Sequence, residues 1–65
     1  MIIINGKEMA LQNTISVEEY LKKSNYQINR VVVELNESIL PKADYGTTFF
    51  HDGDRVEILS FVGGG

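Results

Sequence analysis

Residues 30–36, Arg-Val-Val-Val-Glu-Leu-Asn, constrain this chain more than any other stretch. Val31, Val33 and Leu35 alternate onto one face, while Val32 and Glu34 take the other, the two-residue period of a strand. Consecutive β-branched residues favour the same conformation. A strand leaves unpaired N–H and C=O groups along both edges, so the rest of the chain must supply partner strands. It must also supply a cover for the apolar face, and 65 residues allow one domain to do both. A chain of this size buries only about 60% of the surface its unfolded form exposes. It contains no cysteine, which excludes disulfides and thiolate metal sites. Packing and hydrogen bonds alone must hold the fold. An apolar content of 43% is enough for a globular core, where a disordered chain would show less.

The partner strands can be located. Met1-Ile2-Ile3-Ile4 is apolar and β-branched, and Asn5-Gly6 follows at once. Asn and Gly both tolerate positive φ, so the pair predicts a tight hairpin turn, with residues 7–12 as the returning strand. Ser16 with Glu19 three residues later predicts a capping box at a helix start. Val17, Tyr20 and Leu21 then form one apolar stripe. Glu18 and Lys22 make a favourable i,i+4 pair, Lys22 and Lys23 suit the helix C-terminus, and Ser24-Asn25 ends a helix of two to three turns. Asn36-Glu37-Ser38 predicts a turn and Ile39-Leu40 a very short strand stopped by Pro41. Residues 41–48 are expected to form a loop with room for a helical turn. His51-Asp52-Gly53-Asp54 predicts a tight turn, and residues 55–62 the last strand. One helix can cover one face of a single sheet. The expected fold is therefore α+β, a β-grasp, with four to five strands in a mixed sheet on one main helix. The first and last strands should be parallel neighbours in its middle. Residues 1–62 form the expected domain and residues 63–65 a flexible tail.

Alternation also assigns faces. Ile2, Ile4, Val31, Val33, Val56 and Ile58 are expected to face the helix. Ile3, Val32 and Leu59 then share the open face, with Phe61 joining them near the tail. Two outcomes follow: this apolar patch is a protein contact, or the loop over residues 41–50 covers part of it.

The tail Gly63-Gly64-Gly65 is the candidate working group. Three glycines bring no side chain to pack and lose the most backbone entropy on ordering. They fit either a frayed end or a thread that enters a narrow channel and presents a terminal carboxylate. A carboxylate becomes a good acyl donor once adenylated, because AMP is a good leaving group. With no cysteine in the chain, any sulfur it carried would sit on that terminal carbonyl.

Other groups are weaker candidates. His51 fits an exposed loop residue. Asp52 and Asp54 are too few for a calcium loop, and Asp54 suits bonding to turn amides. Glu18-Glu19 suits a helix start. Of Phe49-Phe50, one ring is expected inside. The net charge of −3 and pI near 4.9 oppose general nucleic-acid binding, which needs clustered cations. No apolar run approaches the length of a membrane span and no basic leader precedes an apolar stretch, so the expected location is cytoplasmic, with no membrane or nucleic-acid partner.

Several stretches together resemble the ThiS-type sulfur carriers of thiazole (thiamin) biosynthesis, a ubiquitin-like family. They are residues 2–6, Thr14-Ile15-Ser16-Val17-Glu18-Glu19-Tyr20-Leu21, residues 33–42 with their Asn36, Ile39 and Pro41, the turn Asp52-Gly53-Asp54 leading into Val56-Glu57-Ile58-Leu59, and the glycine end. The resemblance spans the whole chain. It departs at Lys42, where the family often has Arg, and at Gly63, a third glycine. The resemblance implies a carrier that is not itself an enzyme. An E1-like adenylating enzyme would use ATP and magnesium on the Gly65 carboxylate, and this chain would bind no cofactor. A persulfide protein would supply sulfur to give a thiocarboxylate, and thiazole synthase would receive it. Gly64, Gly63, Phe61, Leu59, Val32 and Ile3 are the expected partner contacts. A carrier for molybdopterin or amino-acid synthesis, a ubiquitin-like modifier and a plain β-grasp scaffold stand as alternatives.

Overall fold

The computed structural model describes residues 1–10 and 15–61. Strands β1 (Ile2–Ile4), β2 (Lys7–Met9), β3 (Val31–Leu35), β4 (Ser38–Leu40) and β5 (Arg55–Ser60) form one sheet in the order β2-β1-β5-β3-β4. Helix α1 (Val17–Lys23) packs on one face. The outer strands and β3 pair antiparallel with their neighbours, and β1 runs parallel to β5, as the sequence predicts for a β-grasp.

The β1–β2 hairpin turns on Asn5 and Gly6, both at positive φ (50° and 82°). The Asn5 side chain does more than permit the turn. Its Oδ1 accepts the Ile58 backbone N–H at 2.7 Å, tying the hairpin to β5. The β3–β4 turn has two residues, Asn36 and Glu37, both at positive φ. Ser38 therefore pairs with Leu35 and belongs to β4 rather than to the turn. Asn36 Oδ1 also accepts from Arg55 N at 3.0 Å, while its Nδ2 donates to Asp54 Oδ1 at 3.0 Å.

Helix α1 is seven residues long, too short to persist alone in water. Every early N–H is nevertheless satisfied. Val17 N donates to Thr48 O at 2.8 Å and Glu18 N to Tyr45 O at 3.0 Å. Ser16 and Glu19 make the reciprocal capping box, at 3.1 and 3.0 Å. At the other end Asn25 takes φ 64°. The Asn25 and Tyr26 N–H groups return to Lys22 O and Leu21 O, a Schellman closure. Val17 and Leu21 are wholly buried, and Lys22 Nζ lies 3.0 Å from Glu18.

The core lies between helix and sheet. It holds all six strand residues assigned to the inner face, together with Val17, Leu21, Tyr45 and Phe50. Phe50 is the inward ring of its pair and meets Tyr20 edge-on at 5.7 Å, while Phe49 is exposed. Tyr45 is a core residue that the sequence did not announce. Several strand boundaries differ from expectation, and among them Met1 lies outside β1 and Asn36 outside β3. Arg30 closes a 3-10 turn (Ile28–Arg30) and lies outside β3. β2 ends at Met9, with residues 11–14 outside the described set. β4 gains Ser38. β5 ends at Ser60, and Phe61 is held instead by its N–H on Arg30 O at 2.8 Å. The loop after β4 contains one 3-10 turn, Lys42–Asp44. Among the described residues no helix is long and apolar enough to cross a membrane.

Candidate docking face and tail root

The position of the loop decides whether it covers the open face. Residues 41–50 bind the helix: their carbonyls cap α1, Ser16 bridges to Phe49, and Tyr45 and Phe50 enter the core. The loop therefore lies on the helix side of the sheet, and the apolar patch of the other face stays open.

Strand register maps that face in rows. Val32 is paired directly with Leu59, and one step along Glu34 is paired with Glu57 on one side and Ile39 on the other. A further step brings Arg55 beside Ile3, and Ile3 beside Glu8. Leu59 is 54% exposed and Phe61 57%, high values for large apolar side chains on a strand and at its end. Val32 and Ile3 are half-buried by their neighbours. The four expected contact residues thus share one face, with Phe61 at the point where β5 hands over to the tail. Gly63, Gly64 and Gly65, the other expected site residues, lie outside the described residues.

Three members of this face were not foreseen as site residues. Ile39 is 68% exposed and lies in line with Glu34. Its place depends on a two-residue turn, where three residues were expected. Alternation puts Glu34 on the face of Val32 and Glu57 on that of Leu59, but nothing in the pattern shows that the two glutamates stand directly opposite each other. A groove of about 410 Å³ opens beside them, lined by Ile3, Gly6, Glu34, Glu37, Arg55 and Glu57 among others.

The secondary candidates take the bland readings. The His51 side chain is 81% exposed, and Asp54 Oδ2 accepts the His51 N–H at 2.7 Å, closing the turn. Asp52 is fully exposed beside the Met1 ammonium. A hydrogen bond and the positive charge of that group hold its carboxyl below the usual carboxylate range. Among the described residues no group of His, Asp and Glu is arranged to hold a metal ion.

Comparison with known proteins adds a lineage to this geometry. The ThiS family profile matches residues 2–65. The sulfur carrier protein ThiS of Bacillus subtilis is 33% identical over 66 residues, an alignment that covers all of both chains. A thiazole synthase of Paramagnetospirillum magneticum is 38% identical over 64 residues; the match takes in 98% of this chain, which spans only 20% of that protein's length. The crystal structure of the thiamine biosynthesis protein ThiS from Geobacter metallireducens superposes with a TM-score of 0.80 at 36% identity, covering 98% of this chain and 97% of that one.

Proposed function

The chain belongs to the ThiS family, and on that premise we propose that it is a sulfur carrier of thiamine biosynthesis whose working group is the Gly65 carboxylate. The observation that carries the reading is the match itself, which runs through residue 65 and aligns end to end with a sulfur carrier. The chain has no cysteine. With no side-chain thiol to hold it, the sulfur is carried in this reading as a thioacid at the Gly65 carbonyl.

The chemistry follows from that placement. An adenylating enzyme of the E1-like class uses ATP and magnesium to join the Gly65 carboxylate to AMP, releasing pyrophosphate. The terminal sulfur of a protein persulfide attacks the acyl carbon and AMP leaves. A thiolate then attacks the other sulfur of the resulting acyl disulfide, breaks the S–S bond and frees the thiocarboxylate. Thiazole synthase takes the sulfur and the carrier returns. The catalytic residues belong to the partners, and this chain supplies the acyl group and the face on which they dock. Gly63 and Gly64 lead into the partner's site, while Ile3, Val32, Leu59 and Phe61 make contact with the adenylating enzyme. The match between this chain and one fifth of a thiazole synthase supports that partnership, because a domain of this kind is there part of the synthase polypeptide. The reading places the carrier in the cytoplasm with its partners.

Intact mass spectrometry tests the proposal. The chain is incubated with ATP, a persulfide source and the adenylating enzyme of its host. Replacement of one terminal oxygen by sulfur is the expected result, and deletion of Gly65 should abolish it while leaving the circular dichroism spectrum unchanged. Isopeptide adducts on lysines would identify a modifier instead, and an unchanged mass with active enzyme would end the carrier reading.

A further inference from the structure

Asparagine can lose its side-chain amide to attack by the backbone nitrogen of the next residue. Glycine hinders that attack least, because it has no Cβ to screen its nitrogen. Of the five asparagines in the chain only Asn5 precedes a glycine. The pair is open to solvent: both residues are exposed, and a methyl group placed on Gly6 would meet nothing within 4 Å. Among the described residues the Gly6 N–H is in none of the backbone bonds that close the turns. One contact restrains the reaction. Asn5 Oδ1 accepts the Ile58 N–H at 2.7 Å, which fixes the side-chain amide on β5 and keeps it from turning onto the Gly6 nitrogen. Asp52-Gly53 could close the same ring, but both its parts are engaged. The Gly53 N–H donates to Met1 O at 2.8 Å. A hydrogen bond and the charge of the Met1 ammonium keep the Asp52 carboxyl ionised, a form without a good leaving group.

We propose that Asn5-Gly6 is a self-modification site, a spontaneous deamidation that the Asn5–Ile58 bond keeps shut in the folded chain, and that its isoaspartyl product unseats the hairpin from β5. The Gly6 nitrogen gives its proton to water and attacks Asn5 Cγ. The N–Cγ bond forms, the Cγ–Nδ2 bond breaks, and Nδ2 takes up a proton and leaves as ammonia. Water then opens the cyclic imide. Attack at Cγ leaves an aspartyl residue at position 5 with the main chain unchanged. Attack at the main-chain carbonyl carbon leaves an isoaspartyl residue, whose main chain runs through the former side chain and is one atom longer. Water is the only other reactant. The aspartyl form keeps an oxygen for the Ile58 N–H. The isoaspartyl form puts an extra atom into a two-residue turn whose register sets Ile4 opposite Lys7, and its free carboxylate leaves from Cα rather than from Cβ. The tie to β5 is then lost from a turn that no longer fits its strands.

The test incubates the whole chain at one temperature and pH, folded in buffer and unfolded in guanidinium chloride. Intact mass follows the change of amide to acid, and peptide mapping assigns its position. The unfolded chain should convert first at position 5. The folded chain should convert there at least on the order of 10-fold more slowly, because opening must break the Ile58 bond and the hairpin contacts behind it. Asn5→Asp has no amide to lose at that position and should show no early mass gain. The purified isoaspartyl form should unfold at lower urea than Asn5→Asp, although the two have the same mass. Equal rates in the folded and unfolded chain overturn the gate. Earlier conversion at another asparagine, or earlier isomerisation at Asp52, overturns the site. Equal urea midpoints overturn the effect on the hairpin.

Discussion

Asn5 combines two tasks in one side chain. Its backbone takes φ 50°, which asparagine tolerates better than residues with larger or aliphatic side chains, and its Oδ1 accepts the Ile58 N–H. Two substitutions separate these tasks. Asn5→Gly keeps the turn and loses only the bond, at a cost of about 1 kcal/mol. Asn5→Ala loses the bond and strains the turn, at about 2 kcal/mol in all. Urea denaturation of both variants measures the difference, and equal losses would show that the backbone conformation carries no strain. The turn was legible from Asn-Gly alone. The bond to Ile58 was not, because it depends on two strands that meet across 53 positions of sequence. Asn36 repeats the lesson, since its turn is local while its bonds to Asp54 and Arg55 come from the fold.

Among the elements, α1 shows how a short helix is made secure. Its own sequence supplies the capping box and the apolar stripe, and both were legible from the spacing of Ser16, Val17, Glu19 and Leu21. The remaining caps are the carbonyls of Tyr45 and Thr48, which any residue type could provide, so no sequence pattern marks them. The same holds for the burial of Tyr45, which lies in a loop with no period to read. Ser16 is itself buried and bonded in both directions to Glu19. Ser16→Ala should therefore cost about 1–2 kcal/mol, at the upper end for a cap. It should lower the urea midpoint without changing the slope of the transition, whereas a loss under about 0.5 kcal/mol, the scale of ordinary surface substitutions, would show that the loop carbonyls hold the helix alone.

For the whole molecule, the decisive fact is the side on which the loop sits. Two-residue alternation was enough to group Ile3, Val32, Leu59 and Phe61, because period sorts faces without knowledge of strand order. It could not say whether the loop covered them, nor bring Ile39 and the paired glutamates into the site, because those follow from register and turn length. The exposed apolar row makes a direct prediction. Leu59→Asp or Phe61→Asp should weaken binding to the adenylating enzyme at least about 10-fold, as expected when a charge enters an interface core. The circular dichroism spectrum and unfolding midpoint should barely move, since both side chains are more than half exposed in the free chain. Unchanged affinity by titration calorimetry would remove this face from the docking surface.

The parallel pairing of β1 with β5 also has a mechanical meaning. The strand that leads into the glycine tail is not an edge strand that can be peeled away one bond at a time. It is clamped between β1 and β3, and a pull on the tail loads both ladders sideways, so many bonds share the tension at once. On the carrier reading proposed above, a partner that takes hold of the glycines pulls against a strand held by both ladders, as an anchor holds against a rope.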